Sequence, residues 1–348
     1  MARVFVAMSG GVDSSVAAAL LVERGHDVTG VTMQLWPSGD DEGGCCSVSA
    51  VRDAKRVCDL LGIPHYALNF RDSFESGVVT PFAEEYAKGR TPNPCIVCND
   101  VVKFGDLLKR VRLQGADALA TGHYARIVAD GARKALARGV DPGKDQSYFL
   151  YRMTEEQLDA VVFPVGELHK SEVRSIAQRI GLSVAEKPDS QETCFAADGE
   201  YGPVVGQRAP DALRAGEIVD RDGTVVGRHH GLARYTVGQR KGLGMGGGGP
   251  WFVIGLDAET NRIVVGSRED LAVSEVVASD IVWHGGSRED VTAMTRYRMA
   301  AVPGTAVVAD GELTVELDVP VEAVAPGQSL VCYRGDIVLG GGVIRCAS

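Results

Sequence analysis

The chain has 348 residues, 45% of them apolar and 24% charged, with a net charge of -10. That length exceeds one ordinary hydrophobic core and implies two or three domains. The composition excludes wholesale disorder, and the acidic balance counts against indiscriminate nucleic-acid binding while leaving local surfaces open.

The opening "MARVFVAMSGGVDSSVAAALLVERG" is interrupted by Asp13 and a glycine pair, so it does not read as an export signal. With no apolar window near the ~18 residues of a membrane span, a cytoplasmic protein with no membrane partner is expected. Its eight cysteines are then reduced thiols rather than a disulfide framework.

Residues 3–36 read as a βαβ unit: the strand "VFVAM", a Gly/Ser loop, the helix "SSVAAALLVERG" closed by Gly25, and the strand "DVTGVTMQLW". The pattern repeats as a helix in "SAVRDAKRVCDLLG" before the strand "IPHYALNF", and a helix in "DVVKFGDLLKRVRLQG" before the strand "ADALATG". Alternation of this kind predicts an α/β fold with a mostly parallel sheet covered on both faces, binding ligands at the carboxyl ends of its strands. "TEEQLDAVVF" and "HKSEVRSIAQRIG" are expected to be helices closing this domain, at 1–197. Beyond it, glycine becomes frequent and apolar residues alternate, as in "GEIVDRDGTVVGRH", "WFVIGLDAETNRIVVG" and "TAVVADGELTVELDVPV". Such strands joined by tight turns predict two small β domains, at 198–273 and 274–348, with "GMGGGG" at 244–249 as a mobile loop.

The loop Ala7, Met8, Ser9, Gly10, Gly11, Val12, Asp13, Ser14 lies between the first strand and the first helix. Its glycines allow close backbone approach, and Ser9, Ser14, Ser15 and the helix-start N–H groups are expected to face an anion. The loop lacks the lysine of a Walker motif and the spacing of a dinucleotide fingerprint. Asp13 beside a phosphate site makes sense if Mg²⁺ shields its charge. The full S-G-G-x-D-S resembles the PP-loop of the N-type ATP pyrophosphatases, and so implies ATP as cosubstrate and an adenine nucleotide alpha hydrolase-like domain.

Three later stretches narrow the choice: "TPNPCIVCN" at 91–99, "KPDSQETCF" at 187–195 and "HHGLARYTVGQRKGLG" at 229–244. With the PP-loop, in this order, they resemble the tRNA-specific 2-thiouridylases, the MnmA/TrmU family, over nearly the whole chain. The resemblance implies a last domain that is barrel-like and contacts tRNA. It implies that Asp13 serves the adenylation, that Cys194 carries a persulfide, and that Cys98 attacks it and ends in a disulfide with Cys194. Asn93, Pro94 and Cys95 would touch the target base. Met33 and Gly122 would border the adenosine, while His123, Lys144, Asp145, Gln146, Arg296, Tyr297 and Gln328 would contact tRNA. A cysteine desulfurase or a sulfur-relay protein would supply the sulfur.

Cys95 departs from the family, where an acid is common, and creates a CxxC with Cys98. With Cys194 it offers three thiolates, enough for an iron–sulfur cluster with one open iron, whereas a closed zinc site wants four ligands and a second CxxC is missing. Cys45 and Cys46 read as loop residues, and Cys58, Cys332 and Cys346 as core. Basic runs at 126–144 (Arg126, Arg133, Lys134, Arg138, Lys144) and 227–242 (Arg228, Arg234, Arg240, Lys241) are candidate phosphate contacts. Two other readings remain open: a PP-loop amide synthetase or similar ligase, and a nucleotide-binding dithiol redox module.

Overall fold

The computed structural model describes residues 1–36, 48–187, 193–196, 201–245 and 251–348. The stretch with Cys45 and Cys46, and positions 246–249 of the glycine run, lie outside the described residues. The chain divides into two compact units, one of Met1–Val78, Cys95–Gly199 and Asp336–Val338, the other of Val79–Pro94, Glu200–Gly335 and Leu339–Ser348.

In the first unit, β1 (Arg3–Ala7), β2 (Asp27–Gln34), β3 (His65–Asn69), β4 (Ala118–Thr121) and β7 (Val161–Val162) form a five-stranded parallel sheet of order β3-β2-β1-β4-β7. It is the sheet that the alternating pattern predicts. Helices α1 (Val12–Glu23), α2 (Val48–Leu61) and the short α3 (Arg71–Phe74) follow the first three strands. Val4, Val6, Val16, Ala17, Ala54, Val57 and Cys58 are buried in one cluster, with Val173 and Ala177 of α8 (Lys170–Arg179). Small alanines on α1 let that helix lie close to the sheet.

Three elements depart from the sequence reading. The helix expected at 100–115 starts earlier, as α5 (Pro94–Val97), winds as a π-helix over Cys98–Leu107 and ends as α6 (Leu108–Leu113). The helix expected over "TEEQLDAVVF" stops after α7 (Glu155–Asp159), and its two valines become β7. A hairpin of β5 (Ala125–Asp130) and β6 (Arg133–Arg138) occupies the basic run.

The second unit begins with α4 (Thr80–Ala87), a segment that the sequence reading assigned to the first domain. Its Phe82 and Tyr86 pack against Tyr201, just before α9 (Gly202–Arg208), at ring-centroid distances of 5.2 and 6.1 Å. Burial also drives the Tyr86 phenol far above its ordinary range. A four-stranded sheet follows, ordered β10 (Phe252–Asp257), β11 (Arg262–Gly266), β8 (Gly216–Val219), β9 (Val225–His229), over a core with Ile218, Leu232, Val253 and Ile263. The strands β12 (Ala272–Trp283), β15 (Glu312–Glu322), β14 (Val302–Ala309), β13 (Arg288–Met294), β16 (Ser329–Arg334) and β17 (Ile337–Ala347) are neighbours in that order. Pairing of β12 with β17 closes them into a barrel, which removes sheet edges. Among the described residues, no helix is long and apolar enough to cross a membrane.

Candidate functional site

Strand β1 delivers Met8 into the core, and its N–H donates to Val31 O at 2.7 Å. The chain then turns at Gly10, whose φ is +70° and where a Cβ would collide with the carbonyl of Ala50. Gly11 is the N-cap of α1 and brings no capping side chain, so the first N–H groups of the helix are left for an anion. Only part of the expected serine cradle holds. Ser14 and Ser15 are buried and donate to Gly11 O at 3.2 and 2.8 Å, bracing the turn from inside. Ser9 stays exposed, and its N–H donates to Ser14 Oγ at 3.2 Å.

Asp13 projects from the first turn of α1. Lys170 Nζ, at the start of α8, donates to its two oxygens at 2.7 and 2.8 Å, and Tyr124 Oη donates to Oδ1 at 2.8 Å. The charge expected to need Mg²⁺ is thus met by a lysine. Gly122 lies against the same helix start, where a Cβ would stand 2.5 Å from Ser14 N. Met33, in β2 opposite Leu68, is half-buried. Lys187 also reaches the loop, donating to Gly10 O at 3.1 Å and to Asp53 Oδ2 at 2.7 Å. Neither lysine was singled out from the sequence, although Lys187 opens the "KPDSQETCF" stretch.

Several residues expected to contact tRNA serve the chain itself. Asp145 accepts from Gly139 N, Ser147 N, Ser147 Oγ and Arg138 Nη1. Gln146 Oε1 accepts from Tyr124 N at 3.0 Å, which helps aim the Tyr124 hydroxyl at Asp13. Lys144 is half-buried, its N–H donating to Asp141 O. The basic run around it is largely neutralised: Arg126 pairs with Asp336, Arg133 with Asp130 and Glu155, Lys134 with Asp159, and Arg138 with Asp145.

His123 packs against Phe104 and Phe163 at 6.0 Å from each ring. Lys103 Nζ stands 3.4 Å from its Nε2, and Thr121 Oγ1 lies 2.6 Å from its Nδ1. A lysine can only donate, so Nε2 is the acceptor and Nδ1 carries the proton. Burial, and then Lys103, push this imidazole well below its usual range, so it is neutral near pH ~7. Lys103 also donates to Asn99 Oδ1 at 2.7 Å, and Asn99 Nδ2 donates to Phe149 O at 3.2 Å. This network clamps the helix at the residue after Cys98.

Cys95 is exposed, while Cys98 and Cys194 are half-buried thiols. Phe195 sinks between Trp36 and Phe74, with ring centroids 6.0 and 5.8 Å away, and holds the Cys194 backbone to the sheet unit. No group of three or more His, Cys, Asp or Glu among the described residues is arranged to hold a metal ion, the three thiols included. Cys58 is buried as expected, its thiol pushed up to about 11 chiefly by burial, and Cys332 is buried too. Cys346 is exposed near the end of β17, against the expectation of a core role.

In the second unit, Gln328 Nε2 donates to Thr91 O at 2.8 Å, and Thr91 N donates to Pro326 O at 2.8 Å. Gln328 therefore fixes the run leading into the half-buried Asn93 and Pro94. Arg296 is exposed on the loop after β13, beside the half-buried Tyr297, and the Arg298 guanidinium lies 5.3 Å over the Tyr297 ring. Arg228, Arg234, Arg240 and Lys241 are all exposed.

A parallel sheet whose first strand turns through S-G-G-x-D-S into a helix defines a PP-loop nucleotide domain. Residues 2–198 match the family model described as tRNA methyl transferase HUP domain, 204–267 its PRC-barrel domain, and 273–344 an aminomethyltransferase beta-barrel domain. The chain is 51% identical to "tRNA-specific 2-thiouridylase MnmA" of Heliobacterium modesticaldum, over 98% of this chain and 92% of that one. It is 50% identical to the protein of that name in Rhodospirillum centenum (98% and 91% covered) and 47% to that in Acetivibrio thermocellus (99% of each). The chain belongs to the tRNA-specific 2-thiouridylase family.

Proposed function

We propose that the chain is an ATP-dependent tRNA sulfurtransferase that replaces the C2 oxygen of a wobble uridine with sulfur. The uridine C2 oxygen attacks the α-phosphorus of ATP, pyrophosphate leaves, and C2 then carries an adenylated oxygen that can depart as AMP. Cys194, loaded as a persulfide by a cysteine desulfurase or relay protein, brings the sulfur. Its terminal sulfur adds at C2; the Cys98 thiolate attacks the inner sulfur, the S–S bond breaks, and a Cys98–Cys194 disulfide forms as AMP takes the oxygen away. Alternatively, Cys98 first frees hydrosulfide, which adds at C2. Either way a dithiol reductant must return both cysteines to thiols.

Mg²⁺ would travel with the ATP phosphates, because both Asp13 oxygens already accept from Lys170. The three thiols are not grouped as a metal site among the described residues, and no step is assigned to an iron–sulfur cluster. The adenosine would lie by Met33 and Gly122, and Arg296, Tyr297 and the basic run at 227–242 would hold tRNA. Division into a catalytic module at 1–197 and β modules at 198–273 and 274–348 is supported by the three matched segments. The reaction would take place in the cytoplasm, where its tRNA is.

The observation carrying this reading is that the nucleotide loop, Cys98 and Cys194 belong to one compact unit. Incubation with ATP, Mg²⁺, a persulfide donor and unmodified tRNA, followed by mass spectrometry of the nucleosides, should yield 2-thiouridine. Cys98→Ser and Cys194→Ser should each abolish it. Full turnover by both serine variants would instead favour an amide synthetase, and no pyrophosphate release with any RNA would favour a redox module.

A further inference from the structure

The PP-loop brings backbone N–H groups to an anion but no cation of its own, and the lysine nearest its acid, Lys170, is fixed on Asp13 with only 11% of its side chain exposed. Lys187 differs. Its Nζ donates to Gly10 O in the loop at 3.1 Å and to Asp53 Oδ2 at 2.7 Å, and its side chain is 38% exposed. An ammonium has three donors, so one N–H is left beyond those two bonds.

The backbone that carries it is held firmly. Arg174, one turn beyond Lys170 on α8, donates to Ala185 O at 2.6 Å and to Lys187 O at 3.3 Å. Positions four apart lie on one helix face, so the same face of α8 holds the acid of the loop and the segment returning toward it. Asp53 balances the lysine charge and draws Arg56 to 3.7 Å, which keeps the site cationic once a polyanion arrives.

Resting on the ATP-binding reading above, we infer that Lys187 is a phosphate-binding residue of this site, whose third N–H bonds a phosphate oxygen of ATP while the other two keep the loop in place. It supplies from 177 positions along the chain the positive charge that the loop motif lacks. Because Cys194 follows it by seven residues, the phosphate contact also anchors the start of the thiol-bearing segment.

Equilibrium binding of ATP and of adenosine to the full-length wild type, K187M and K187R tests this. K187M should lose about tenfold or more in ATP affinity, the scale of a charge-assisted hydrogen bond, with adenosine affinity changed less than about twofold, and K187R should keep most of the ATP affinity. Equal losses for ATP and adenosine would make Lys187 a loop brace and overturn the inference, as would an unchanged ATP affinity. A wild type that binds neither ligand would sink the proposed function itself, and the inference with it.

Discussion

At the scale of single residues, Lys170 and Asp13 form an ion pair in which the acid keeps 29% exposure. Replacing Lys170 with Met leaves a partly desolvated carboxylate and should cost up to about 3 kcal/mol, the low end for a broken buried pair. Urea denaturation of K170M, D13N and the double variant should show a coupling of similar sign and less than additive loss. His123 makes a pH-dependent contribution. Its imidazole is pushed well below 6.5 in the fold, so below that pH the unfolded chain takes up a proton that the folded one refuses. Stability is therefore full above about pH 6.5 and falls as the pH drops toward the folded value. His65 and His229, also lowered by burial, slope the same way. H123Q should accordingly flatten, without abolishing, the loss of urea midpoint between about pH 7 and pH 5.

At the scale of elements, the π-helical run Cys98–Leu107 carries a thiol at its first residue and is pinned there by Asn99. Asn99→Ala removes two partly buried hydrogen bonds and should destabilise by about 1–3 kcal/mol. It should slow thiolation while leaving ATP affinity unchanged, as measured by single-turnover assay and calorimetry. A π-helix keeps helical apolar spacing over short windows, which is why "DVVKFGDLLKRVRLQG" reads as helix but its winding does not. The parallel sheet and the nucleotide loop were legible because period, glycine placement and strand-to-helix order are local signals. The braces were not: Lys170 reaches Asp13 from 157 positions away, and Tyr124 from 111. Nothing in the spacing of "HKSEVR" announces such a partner. For the same reason the basic run at 126–144 reads as a phosphate track although Arg126 and Lys134 meet Asp336 and Asp159 from outside the run, and Arg133 and Arg138 meet the nearby Asp130 and Asp145.

At the scale of the whole molecule, the exposed cations at 228, 234, 240 and 241 are set in a chain of net charge -10, so tRNA binding should rest on local rather than global attraction. Replacing Arg240 and Lys241 with Gln should lower the slope of log affinity against log salt by about 1–2, read from filter binding over a salt series. The division into units has a consequence for biosynthesis. Thr91 is held by Gln328, a residue 237 positions further on. At about 5–20 residues per second, a ribosome needs roughly 12–47 s to make that stretch. The nascent run from Val79 to Pro94 therefore waits in two stages for the chain that covers it, Phe82 and Tyr86 for Tyr201 and Thr91 for Gln328. It is a stretch of this protein that a co-translational chaperone would have to shield in the meantime.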